Sequence, residues 1–548
     1  MPNLKCNVGQ DASNRSTGRP RAWPKIPEAE TSPFIFSALG FLLVATLVAV
    51  AYAILRGPWI DEFFQMWFTD SAVGHRQLLI RTIEDTHTPY FNVGSWVWGR
   101  VVPAKISALR MINLIPLGLL ISVWFCFIRR YPADRLFLSV FLILLSSSTY
   151  FRLFFAEYRM YFLMFCLGAI LALSLFFFYR GSENLGKESR VTRWILAGAL
   201  VLLINIHYFG TVFCSVLTAW AALLLGLERR WSDVRFLVTT AVAALLPLAG
   251  WLVLQFTAVG RIPIDKVSWI TTTSSEALRV IGNVIVHGPG FNIFAFVAAG
   301  LILIAGSTKL AKHETRYGLK TWLREMYAGS LRSAALFGFP VVTFLGLMFA
   351  VNLVHPIVQE RYLICVVGAV SLILADLSSR LLIRHRWLFW GLLANGVLYS
   401  GLRITSDTAP AKFARWNATA EIVEREVRKS PNTPVILFEV TSRQPQASAP
   451  NRWSAMYLGY EFLAGHKGFL QNLQPLSDRT VVHSETTIFW GEHLPARLLQ
   501  TIPNAARFVK QAGLSIPTTE PMDLSVEPGT SGAVLFLRTA SDPHRSNL

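Results

Sequence analysis

Adjacent carboxylates stand at Asp61 and Glu62, inside the aromatic stretch Trp59-Ile-Asp-Glu-Phe-Phe64 and just beyond the first long apolar run. Such a pair can deprotonate a hydroxyl or hold a cation, or simply occupy a helix start, where the backbone dipole favours negative charge. A second cluster, Phe154-Phe-Ala-Glu157-Tyr-Arg159-Met-Tyr161, combines an acid, a guanidinium and a phenol. Arg152 precedes Arg159 by about two turns, so a helix running through both would put them on one face. A third cluster is His355-Pro356 with Gln359-Glu-Arg361-Tyr362, and a fourth is His207-Tyr208. Plainer roles compete: Arg159 can pair with Glu157 or reach lipid head groups, and His207 can be a satisfied interface residue.

Acids and arginines gathered at one membrane face suit a sugar carried on a polyprenyl phosphate. The planar guanidinium fork makes charge-assisted bonds to phosphate, which then leaves without a protonating acid. A glycosidase needs two opposed carboxylates, whereas this transfer needs one, to take the proton of the attacking hydroxyl. Competing chemistries leave no complete motif: the sequence has no G-x-x-x-x-G-K-[ST], no G-x-G-x-x-G and no Asp-x-Asp. H-E-x-x-H and C-x-x-C are missing too, so no zinc site or other metal-ligand set is assigned. No cofactor is called for, although a divalent cation bridging Asp61 or Glu62 to the phosphate stays open.

The elements that must position these residues are membrane helices. The chain has 548 residues, 53% hydrophobic and only 15% charged, with a mean hydropathy of +0.43. Apolar runs long enough to cross a bilayer recur from Phe34 to Arg403, about eleven in all. The first, Phe34 to Leu55, is read as a retained anchor. The net charge of +18 is spread through every second loop, as at Arg129, Arg130 and Arg135 or at Arg229, Arg230 and Arg235. That alternation argues against nucleic acid and makes those loops and the basic tail, 1–33, cytosolic. The four clusters then share the external side. The five cysteines lie in the tail or in apolar runs and imply no disulfide framework.

The expected fold class is an all-α polytopic membrane bundle with a small external C-terminal α/β domain. The membrane domain covers 34–402, and its first external loop, 56–108, forms interfacial helices. The external domain covers 403–548. Helical spacing runs from Ala411 to Lys429, and strand patterns occupy Val435–Val440, Thr486–Trp490 and Ala533–Leu537. The segment from Arg261 to Gly290 reads as a long loop suited to covering the site.

Taken in order, these motifs resemble the GT-C superfamily of membrane glycosyltransferases. The branch is that of the protein O-mannosyltransferases, the lipid A aminoarabinose transferases and related lipopolysaccharide sugar transferases. The carrying residues are Asp61-Glu62, Asp85-Thr-His87-Thr-Pro89-Tyr90-Phe91, Leu109-Arg110, Ala156-Glu-Tyr-Arg159-Met-Tyr161, His207-Tyr208 and Arg361-Tyr362. The resemblance implies that Asp61 is the catalytic base with Glu62 in support, and that Arg159, with Arg361, contacts the donor phosphate. Thr88 and Ala156 depart from the family pattern, and the second departure raises Arg152 as a substitute phosphate ligand. His87, Tyr90, Glu157, Tyr161, His207 and Tyr208 would serve the acceptor or support the site. The expected partners are a polyprenyl-phosphate-linked sugar, an envelope glycan, lipid or protein acceptor, and membrane lipids, in a cytoplasmic (inner) membrane with the N-terminus cytosolic.

Two other classes compete with this reading. A transporter or flippase would carry ionisable groups near the bilayer midplane and paired, broken helices in two matching halves. A membrane scaffold would leave the external acids and arginines without a role.

Overall fold

The computed structural model describes residues 28–58, 60–69, 73–83, 85, 87–103, 105–181, 187–259, 272–304, 332–383, 385–407, 415–437, 460, 462–465, 467–475, 486–491, 522–528 and 533–539. The long helix α1 (Glu28–Leu55) is followed by four short ones, α2 (Ile60–Thr69), α3 (His75–Ile83), α4 (Pro89–Val101) and α5 (Ile106–Arg110). Pro89 fits the first turn of α4 because its fixed φ suits a helix start and its missing N–H costs nothing there. A 3-10 turn, Met111–Asn113, carries α5 into α6 (Leu114–Arg130).

Next come α7 (Arg135–Ser146) and α8 (Thr149–Phe155). Ser148 caps α8 by accepting the Tyr150 N–H, and the pair is bent by 57° at this break. The chain continues through α9 (Tyr161–Gly181), α10 (Lys187–Ile206), α11 (Tyr208–Leu227) and α12 (Trp231–Val259). It goes on through α13 (Ser274–His287), α14 (Ile293–Ile304), α15 (Phe339–Val354), α16 (Glu360–Leu363), α17 (Val367–Leu382) and α18 (Trp387–Asp407).

Seven helices among the described residues are long and apolar enough to cross a membrane, or eight if α7 and α8 make one bent span. The chain is a multi-pass membrane protein. The sequence pattern suggested about eleven crossings. Three features keep other helices below that length and composition. Lys187, Glu188, Arg190 and Arg193 load the start of α10, α13 and α14 are short, and Asn395 and Arg403 dilute α18. The loop expected over 261–290 is partly helical: Thr273 and Glu276 form a capping box that starts α13. Residues 261–271 of that loop lie outside the described residues.

Two spans form the centre of the bundle, Tyr161–Arg180 and Glu360–Leu382, each 94% buried, whereas α1 and α12 face outward. They cross through small residues. A Cβ on Gly168 would overlap the Cys365 carbonyl, and one on Gly368 would overlap the Ala169 backbone. Close backbone approach of this kind is how membrane helices gain packing without a hydrophobic drive. It also brings the starts of both spans together, and those starts carry Arg159, Tyr161, Arg361 and Tyr362. At the opposite end, exposed Trp194, Trp231, Trp387 and Trp390 make an aromatic belt.

Beyond α18, α19 (Arg415–Lys429) packs on a five-stranded sheet of β1 (Val435–Leu437), β2 (Leu473–Pro475), β3 (Thr486–Gly491), β4 (Met522–Pro528) and β5 (Ala533–Thr539). The order is β2-β1-β3-β5-β4, with β1 parallel to β2 and β3, and β5 antiparallel to β3 and β4. The strand pattern read as Val435–Val440 is described only to Leu437, and β2 and β4 had no clear sequence signature. The core of this unit contains Val423, Val435, Tyr460, Ile488 and Trp490, and also Phe63 from α2, which is fully buried, with Met66 packed beside it. One helix therefore belongs both to the membrane bundle's margin and to the sheet's core.

Candidate active site

The first turn of α2 splits its two acids by direction. Glu62 is fully buried and meets Arg110 through both oxygens, at 2.8 Å to Nε and 2.6 Å to Nη2. Arg110 spends its remaining N–H groups on the carbonyls of Ala53, Arg56 and Gly57. Glu62 also accepts the Tyr158 N–H at 2.8 Å. This knot ties the end of α1, the start of α2 and the turn before α9 into one piece. The oxygens of Glu62, expected to support Asp61, are committed to this frame, where they hold its neighbours in place.

Asp61 turns the other way and pairs with Arg361. The Arg361 guanidinium lies 5.6 Å from the Tyr161 ring centre and 5.3 Å from that of Tyr362. Arg159 is buried nearby, donates to Gln65 Oε1 at 3.2 Å and lies 5.9 Å from the Tyr161 ring. From Gln65 a polar chain runs outward: Gln65 donates to Asn92 Oδ1 at 3.0 Å, Asn92 donates to Asp85 Oδ2 at 3.2 Å, and Asp85 Oδ1 meets His87 Nδ1 at 3.1 Å. Burial alone would raise the Asp85 carboxyl, but His87, Arg159 and Asn92 outweigh it and hold it at about 2. The His87 ring lies 5.4 Å from that of His207, which lies 5.5 Å from Tyr362. Asp61, His87, Arg159, Tyr161, His207 and Arg361 are thus brought into one cluster.

Glu157 lies at the edge of it. Its Oε1 accepts from Arg56 at 3.3 Å, while Oε2 is buried with no hydrogen-bond partner. Burial, opposed by Arg56, pushes its carboxyl up to about 7. Asn113 shapes the same turn by donating to the carbonyls of Phe155 at 3.0 Å and Glu157 at 2.7 Å. Tyr208 works at one remove: its hydroxyl donates to Gln255 Oε1 at 3.0 Å, and Gln255 Nε2 holds the carbonyls of Ile83 and Asp85.

One expectation changes. α8 ends at Phe155 and residues 156–160 form turns, so Arg152 and Arg159 share no helical face, and the case for Arg152 as a phosphate ligand loses its geometry. Tyr90 is 42% exposed on α4, outside the buried network. Sequence reasoning missed Arg56, Gln65, Asn92, Asn113 and Gln255. Each is a polar residue in an apolar or aromatic stretch, and that anomaly was the available signal. Among the described residues, no three His, Cys, Asp or Glu side chains gather as a metal site.

No family model matches the chain, and no curated protein matches it either. Among solved structures it is similar to ArnT from Cupriavidus metallidurans in the apo state, with a TM-score of 0.53 and 12% identity, covering 91% of this chain and 97% of that one. The same protein bound to undecaprenyl phosphate is similar at a TM-score of 0.47, again with 12% identity and the same coverage. The first likeness establishes the fold, a polytopic bundle of the type implied by the ordered motifs.

Proposed function

We propose that the chain is a membrane-embedded, inverting glycosyltransferase that moves a sugar from a polyprenyl-phosphate carrier to a hydroxyl acceptor at the external face. The acceptor belongs to lipopolysaccharide, another envelope glycan or a protein. One observation carries this reading: a carboxylate of low coordination, Asp61, stands with two buried arginines, Arg361 and Arg159, at the same end of the bundle. Two buried guanidiniums gathered at one end of the bundle are suited to an anionic ligand, and a phosphodiester supplies that charge.

In the proposed reaction Asp61 takes the proton of the acceptor hydroxyl as its oxygen bonds to the anomeric carbon. The bond from that carbon to the phosphate oxygen breaks, and its electron pair leaves with the lipid phosphate, which Arg159 and Arg361 stabilise. Attack opposite the leaving phosphate inverts the carbon. Donor arrival would draw Arg361 away from Asp61 and free the base. Glu62 and Arg110 fix the spacing between Asp61 and Arg159. Tyr161 is the ring between the two guanidiniums, and Asp85, His87 and Asn92 line the adjoining polar wall.

The positive loops support a cytosolic N-terminus in a cytoplasmic membrane, and the burial of Phe63 in the sheet's core supports the α/β domain on the same side as Asp61. Purified protein given a polyprenyl-phosphate sugar and envelope acceptors should release the lipid phosphate, read by mass spectrometry. Turnover by Asp61→Asn at the wild-type rate would remove the proposal.

A further inference from the structure

His207 caps α11, and its Nδ1 accepts the Phe209 backbone N–H at 3.2 Å. An amide nitrogen can only donate, so Nδ1 carries no proton. Burial, reinforced by His87, Arg159 and Arg361, holds this ring well below its ordinary pKa, so the imidazole is neutral and its proton sits on Nε2. That nitrogen is buried without a hydrogen-bond partner, in a residue only 3% exposed. Folded chains seldom leave a buried donor unmet.

The surroundings say what should meet it. The His207 ring lies 5.4 Å from His87, 6.3 Å from Tyr161 and 5.5 Å from Tyr362, and Arg361 lies against both tyrosines. A second buried donor in the same cluster, Arg159 Nε, is also without a partner. Neither atom needs the other, since both can only give a proton. Two unmet donors beside two cationic groups describe a cradle for oxygen atoms, electron-rich ones above all.

We propose that His207 is a substrate-binding residue whose Nε2–H donates to an oxygen of the lipid-phosphate sugar, either on the phosphate or on the sugar beside it. This rests on the glycosyltransferase reading and assigns His207 a contact within it, distinct from its capping of α11.

The two roles separate by substitution. In His207→Asn the amide oxygen can still accept at the cap, but the distal donor is gone. In His207→Gln an amide N–H reaches toward the position of Nε2. The probes are a short-chain polyprenyl phosphate and the same lipid carrying a hexose, titrated calorimetrically against detergent-solubilised full-length protein. Affinity should fall about tenfold in His207→Asn, as for the loss of a bond to a charged group, and recover in part in His207→Gln. The unfolding temperature of unliganded His207→Asn should not fall below that of wild type. Loss with both probes assigns the contact to phosphate, and loss only with the glycosylated probe assigns it to the sugar. Unchanged affinity for both means solvent meets Nε2–H, and the proposal falls. Wild-type protein that binds neither probe removes the donor class, and with it both the proposed function and this contact. Full retention by His207→Asn removes the contact alone.

Discussion

At the end of the bundle away from Asp61, Asp376 takes bonds from Ser333 at 2.6 Å and Arg380 at 3.0 Å, and Asp134 takes one from Arg180 at 2.5 Å. Asp233 is held there by Arg193 at 2.7 Å and Arg230 at 2.9 Å. The site holds a similar density of charge about 30 Å away along α9, but it is put together otherwise. Its pairs, Arg56 with Glu157, Arg110 with Glu62 and Arg361 with Asp61, join distant parts of the chain. They also leave one carboxylate oxygen of Glu157 and a donor on each of Arg159 and His207 unmet. At the far end, neighbours on one helix face or turn, Asp376 with Arg380 and Arg230 with Asp233, stand beside the longer-range pairs Arg180 with Asp134 and Arg193 with Asp233. Buried charge by itself does not mark function.

The sharpest way to break this comparison is to remove one acid from each end. Asp61→Asn should lower turnover by about 10² to 10⁴ while donor binding persists, measured by single-turnover transfer. Asp376→Ala should lower stability by about 1 to 3 kcal/mol, since it takes the acceptor from buried Ser333 and the carboxylate from half-buried Arg380, while turnover per folded molecule is kept. Unfolding midpoints and active-fraction assays would show a failure if the two variants behaved alike. A smaller effect is expected from Arg159→Ala, whose donor affinity should drop about 10- to 100-fold in a titration with polyprenyl phosphate. Arg193→Ala at the far end should leave that affinity alone.

The mildest test uses pH. Glu157 titrates at about 7 in the folded chain, against an ordinary value of 4.5. Between those values the folded chain keeps a proton that the unfolded chain has released. The stability contributed by this group is therefore full below pH 4.5 and is lost as pH rises through 7. Wild type should melt lower at pH 8 than at pH 5.5, and Glu157→Gln should reduce that difference. An unaltered pH dependence in the variant would place the titration elsewhere.

The sequence exposed the chemistry of Asp61, Arg159 and Arg361 because charged residues next to aromatic ones stand out against apolar helices. It also exposed the long spans and the strands at 435, 486 and 533, where periodicity is strong. Only the family resemblance separated Asp61 from Glu62; residue type and spacing did not, since adjacent residues differ only in the direction their side chains leave α2, and the Arg110 partner of Glu62 is remote in the chain. The shared helical face of Arg152 and Arg159 does not form, and nothing in Phe154–Tyr161 signals that the helix stops at Phe155. Gln65, Asn92 and Gln255 were invisible as a set, for each looks like an isolated amide until helices α2, α4 and α12 are assembled.

The insertion of Phe63 into the sheet's core has its own consequence. Phe63 and Asp61 ride on the same ten-residue rod, and the ring is anchored in the water-soluble module while the carboxylate reaches the membrane-embedded arginine. A cut after α18 should leave Phe63 and Met66 facing solvent, with α2 held from the bundle side alone by Glu62 and Gln65, so the aim of Asp61 depends on chain on both sides of that cut.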